Sequence, residues 1–154
     1  MIIQTIAKTL KKTFSFLQEE YGFQPGSSVI DKEFCIIKMQ NNTTGIALYY
    51  ERRESNVFVY LYRLIDGKMV EDKNPVSSDL PLNSIDLQFI IQLREGANYI
   101  CKIQSQSSKS LDELMQDIAA DLKKYADDIL KGDFEVFSEV DSIAKKRRLE
   151  WQNS

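Results

Sequence analysis

Asp117, Asp121, Asp127 and Asp128 are the residues of this chain best placed for chemistry: carboxylates four positions apart share a helix face and can hold a cation or carry a proton. The groups that such chemistry needs beside them are missing. The 154 residues include no histidine, the side chain that titrates near neutrality and the commonest general base and metal ligand. Imidazole zinc sites, most triad hydrolases and histidine-assisted nucleases are therefore excluded. Cys35 and Cys101 are the only thiols, too few for a cysteine-only zinc site. The sequence has no calcium loop, two-metal motif, glycine-rich phosphate loop, serine elbow, CxxC or dinucleotide fingerprint. The expectation is a chain without a metal, a cofactor or a catalytic residue. The enzyme alternative is a site built from carboxylates and tyrosines.

A second set of residues points to binding. Val57, Val59 and Leu61 alternate with Phe58, Tyr60 and Tyr62, and Ile46, Leu48 and Tyr50 alternate with Ala47, Tyr49 and Glu51. A strand with two apolar faces is either covered on both, or covered on one and offered to a partner on the other. Tyrosine suits the second case, because its ring gives rigid contact area and its hydroxyl a polar handle. Tyr49, Tyr50, Phe58, Tyr60 and Tyr62 are thus the candidate partner-binding residues. Arg52, Arg53 and Arg63, at the strand ends, are the candidate rim.

Charge narrows the partner. With 20 basic and 23 acidic side chains the molecule has no global field favouring nucleic acid. Residues 110–141 hold ten acids against three bases, which suits a basic protein partner if that face has a role at all. Lys145-Lys146-Arg147-Arg148 sits near a helix C-terminus, where it compensates the dipole. Lysines interrupt the first apolar stretch, and no apolar run is long enough to span a bilayer, so no membrane association is expected. Both cysteines lie among apolar neighbours and read as buried free thiols, consistent with a cytoplasmic location.

These residues need elements to position them. Ile3, Ile6, Leu10, Phe14, Leu17 and Tyr21 predict one amphipathic helix, ended by Gly22, with Phe23 folding back onto Leu17 and Pro25-Gly26 as the next turn. From Val29 to about Val70 the period is two, which predicts an antiparallel meander. Its turns are Asn41–Gly45, Arg52–Asn56 and Asp66-Gly67, the last leading into a strand over Lys68–Glu71. Residues 71–81 read as a loop, 84–95 as a helix with a strand alternative, 99–103 as a short strand and 105–110 as a linker. Ser110 and Glu113 open a helix striped by Leu111, Leu114, Met115, Ile118, Leu122, Tyr125, Ile129 and Leu130. Gly132 closes it, and Asp133 caps a last helix lined by Phe134, Phe137, Val140, Ala144 and Trp151.

The sum is an α+β fold in one domain over 1–154: an antiparallel sheet of three to five strands, packed by an N-terminal helix and two C-terminal helices. The opening helix with Tyr21-Gly22-Phe23, the Ala47–Tyr62 hairpin, and the Ser110–Leu130 helix followed by Gly132-Asp133-Phe134 resemble small bacterial proteins of the polymorphic-toxin immunity type. The resemblance implies a non-catalytic module that binds and neutralises a toxin. The element order also resembles that of type III secretion chaperones, which implies an effector as partner and a homodimer. Neither resemblance assigns a role to an individual residue.

Overall fold

Ile3, Ile6, Ala7 and Leu10 fall on one side of α1, Ile3–Thr13, and are buried, whereas Lys8, Lys11 and Lys12 face solvent. The structure is a computed structural model that describes residues 2–71, 82–96 and 110–152, with backbone alone at 144, 147–149, 151 and 152. The helix expected to run unbroken to Tyr21 is split. Phe14 leaves helical geometry with ψ of 15°, and α2, Phe16–Tyr21, begins two residues later. Phe14 and Leu17 are both fully buried, so the break re-aims the chain without taking it out of the core. Gly22 ends α2 at φ 70°, and the Phe23 N–H donates to Leu17 O at 3.0 Å.

Five antiparallel strands follow: β1, Gln24–Ile30; β2, Phe34–Gln40; β3, Thr44–Glu51; β4, Asn56–Arg63; and β5, Ser84–Asp86. Each pairs with its neighbour in sequence, so among the described strands β1 and β5 are the edges. Pro25 and Gly26, expected as a turn, lie inside β1. An edge strand tolerates the missing N–H of proline, and the register slips between Pro25 and Ser28 as a bulge. The strand expected over Lys68–Glu71 is reduced to the bridge Ile65–Lys68, because the chain folds over the sheet there instead of extending it.

Residues 84–95 divide into β5 and α3, Leu87–Glu95: the helix reading holds from Leu87 to Glu95, and the strand is limited to the three residues before it. The cap is Asp86: its carboxylate accepts the Gln88 N–H at 2.9 Å. In α4, Leu111–Leu130, Ser110 Oγ accepts the Glu113 N–H at 3.3 Å, and Met115, Ile118, Leu122, Tyr125, Ile129 and Leu130 are buried as the stripe predicts. Asp133 accepts the Glu135 N–H at the start of α5, Glu135–Gln152, which buries Val136, Phe137 and Val140.

The buried side chains of α1, α3, α4 and α5 join one face of the sheet in a single apolar cluster. The architecture is the expected α+β one. Among the described residues, no helix is long and apolar enough to cross a membrane. The expected loop at 72–81, the strand at 99–103, most of the linker at 105–110, Cys101, and the packing of Ala144 and Trp151 lie outside the described residues and side chains.

Candidate functional site

Alternation assigns each sheet side chain to a face. Cys35, Ile37 and Met39 of β2, Ile46, Leu48 and Tyr50 of β3, Val57, Val59 and Leu61 of β4, and Ile85 of β5 all belong to the helix-side core. The opposite face carries Phe34, Ile36 and Lys38, then Ala47 and Tyr49, then Phe58, Tyr60 and Tyr62. None of these belongs to the core cluster or packs against it.

The register arranges this second face in rows. Val29, Ile36, Tyr49 and Phe58 are cross-strand neighbours, and Lys38, Ala47, Tyr60 and Asp86 form the next row. Ring centroids lie 6.0 Å apart for Phe34–Tyr49 and 6.1 Å for Tyr49–Phe58, so three rings touch in series. Phe34, Ile36, Tyr49, Phe58 and Tyr60 are half-buried, and Val29 is 50% exposed. Burial pushes the Tyr60 hydroxyl up, with the Asp86 charge and then Tyr49 adding to it. Burial also raises Asp86, against the opposing effect of its bond from Gln88 N–H. Tyr60 is therefore a neutral phenol beside an acid.

A third row is closed. Tyr62 donates from its hydroxyl to Glu71 Oε1 at 2.8 Å, Gln40 Nε2 donates to Gly67 O at 2.9 Å, and a Cβ at Gly45 would collide with the Met69 side chain. The 64–71 segment thus straps one end of the face and leaves the aromatic rows outside it.

Three of the expected binding residues need correction. Tyr50 is 4% exposed because it shares the phase of Ile46 and Leu48 and enters the core. Tyr62 is also 4% exposed, on the correct face but beneath the strap. Arg63 follows Tyr62 and so points to the helix side, where its guanidinium donates to Leu82 O at 3.0 Å. Arg52 is exposed and lines a cleft with Ile2, Ile3, Ile30 and Glu33 at the start of α1. Arg53 is exposed in the β3–β4 turn, and Tyr49, Phe58 and Tyr60 share the face that none of the described helices covers. Phe34 and Ile36 are additional members that the sequence reading missed. The signal was present, since they alternate with Cys35 and Ile37.

The aspartates do not converge. The Tyr21 hydroxyl donates to Asp127 at 2.6 Å, and Lys131 Nζ lies 3.0 Å from the same carboxylate. Asp128 takes Arg94 of α3 at 2.8 Å, while Asp121 is 7% exposed. The helix face expected to offer charge to a basic partner is therefore partly used within the fold. Burial, and then the bond to Asp127, push the Tyr21 hydroxyl well up; that bond, and then Lys131, hold Asp127 down. The two shifts move away from neutrality, so this pair has no group poised to exchange protons near pH 7. Among the described residues, no group of three or more Asp, Glu or Cys side chains is placed to hold a metal ion. Cys35 is buried, and burial raises its thiol above the ordinary range.

No family model matches the chain, and no curated protein or solved structure is similar to it.

Proposed function

We propose that this chain is a non-catalytic protein-binding module that docks its partner on the sheet face that none of the described helices covers, most concretely as a toxin-neutralising immunity protein. The observation that carries this reading is the series Phe34–Tyr49–Phe58, with Tyr60 alongside. These large rings touch one another yet stay outside the core. Rigid aromatic side chains provide contact area at a small cost in conformational entropy and supply most interface hot spots. The strap over Tyr62 supports the reading, because it closes one end of the face and leaves the rest as a bounded patch.

The test is capture of the partner from the native host by the full chain, identification by mass spectrometry, and titration of the purified pair. Tyr49→Ser, Phe58→Ser and Tyr60→Ser should each cost only about 1–2 kcal/mol of stability, while weakening the complex by roughly 30-fold or more. Undiminished affinity in all three variants would remove this face from the interface. The immunity reading further requires that the captured partner arrest growth when expressed alone and that the wild-type chain relieve the arrest. A harmless partner would leave a binding module of another kind.

A further inference from the structure

We infer that the free edge of β1 pairs antiparallel with the β1 edge of a second copy of this chain, joining two sheets about a two-fold axis at Val29. The inference concerns an edge, not the face assigned above, and does not depend on that assignment.

All seven residues of β1 are exposed, and among the described residues its only strand partner is β2. The hydrogen-bonding direction follows from the hairpin. The Asp31 N–H donates to Phe34 O at 2.9 Å, so Asp31 and Phe34 form a hydrogen-bonded pair. Bonded and non-bonded pairs alternate along an antiparallel ladder. Val29 therefore turns its backbone groups toward Ile36, whereas Ser28 and Ile30 direct their N–H and C=O away from β2, to the open edge. Centring a two-fold axis on Val29 sets Ser28 of each copy opposite Ile30 of the other, and each such pair exchanges both of its N–H···O=C bonds.

Edge strands are usually blunted by proline, charge or a bulge. Here Pro25 and the bulge occupy the first half only. The sequence from Gln24 to Ile30 contains no charged residue in a chain that is 28% charged. A residue on a two-fold axis meets its own copy, where any charge would repel itself; Val29 meets an apolar twin instead. Of the five exposed large apolar residues among those described, three gather at this end: Val29 at 50%, Ile30 at 44%, and Ile2 at 62%, which lines a cleft with Ile30. That cleft carries Asp31 and Glu33 beside Lys32 and Arg52, a balanced set that does not repel an identical surface. Pairing would also join the Val29–Ile36–Tyr49–Phe58 rows of the two copies into one apolar band.

So short an interface belongs to the small, reversible class, with dissociation in the micromolar range or weaker. Sedimentation of the full chain from about 1 µM to about 500 µM should show a monomer–dimer equilibrium. Val29→Asp should weaken it at least tenfold, while Ile65→Asp, a comparable change at an exposed site off the edge, should leave it in place. Val29→Cys should give a covalent dimer under mild oxidation, because directly opposed side chains on such a ladder lie within disulfide reach. Lys68→Cys carries the same Cys35 and Cys101 and sets the background. A wild-type monomer at every concentration would overturn the inference, including the case in which the edge receives an extended peptide of another protein. A Val29→Asp dimer as tight as wild type, or Val29→Cys cross-linking no faster than Lys68→Cys, would overturn it equally. The cross-linking result holds even if Val29→Asp fails to fold.

Discussion

Asn41 closes a turn and two helix ends with one side chain. Its Oδ1 accepts the N–H groups of Thr43 at 3.0 Å and Thr44 at 2.8 Å, which forms the β2–β3 turn. Its Nδ2 donates at 3.1 Å to Tyr21 O and to Leu130 O, the final residues of α2 and α4, whose carbonyls have no partner within their helices. Asn41→Ala should therefore cost about 2–4 kcal/mol in denaturant melts, since it strands several partly buried groups at once. Asn41→Asp separates the two roles: it keeps the acceptors of the turn but sets a carboxylate against two carbonyls. It should be at least as damaging as Asn41→Ala, and near-wild-type stability would show that the helix-end bonds contribute little. The turn itself was legible in Asn41-Asn42-Thr43-Thr44-Gly45. The bond to Leu130 was not, because nothing local to Asn41 points 89 positions along the chain.

Among the elements, α4 is the tie. Lys123 pairs with Glu20 at 2.7 Å and Asp127 with Tyr21, binding α4 to α2. Arg94 reaches both Asp128 and the Tyr125 carbonyl, and the Tyr125 hydroxyl meets Glu95, binding α4 to α3. The Tyr21–Asp127 contact makes stability depend on pH at both extremes. Asp127 is held below its ordinary range, so its share is present above that range and lost as pH falls through the lowered value. Tyr21 is raised, so its share is present below the ordinary tyrosine range and lost as pH rises from there. Tyr21→Phe should flatten the alkaline limb of a Tm-against-pH curve and part of the acid limb, where Lys131 keeps its own hold on Asp127. At neutral pH the Tm should drop by roughly 2–4 °C. Curves for the two proteins that run parallel from pH 3 to 11 would contradict this. Helical and alternating periods were enough to find α1, α4 and β2 to β4. They missed β1, where Pro25 and Gly26 mimic a turn, and the break at Phe14, where an apolar stripe continues across two helix axes.

For the molecule as a whole, the decisive feature is that the described helices pack on one side of the sheet. The sequence showed that both faces of β4 are apolar. It could not show which face the helices cover, because that depends on how segments far apart in the chain pack. Once Val57, Val59 and Leu61 turn toward the helices, Phe58 and Tyr60 are left outside, and the strap at 64–71 explains why Tyr62 is not. The candidate face was therefore legible in composition but not in membership: Tyr49, Phe58 and Tyr60 stand on it, Tyr50 and Arg63 turn to the other side, and Phe34 and Ile36 join it.

The order in which the sheet is threaded also bears on how fast the protein forms and falls apart. Every strand pairs with its sequence neighbour, so most of the sheet can assemble through short-range hairpins. The seat of α4 on the β2–β3 turn is different in kind: Thr44 Oγ1, fully buried, donates at 2.8 Å to Ile129 O, closing 85 positions of chain. A contact that spans so much chain is late to form and absent from a transition state built on the meander. Thr44→Val keeps the shape and removes the donor. It should leave the refolding limb of a chevron where it is and raise the unfolding rate about tenfold, the equivalent of roughly 1.4 kcal/mol. A slower refolding limb instead would place the docking of α4 at the start of folding.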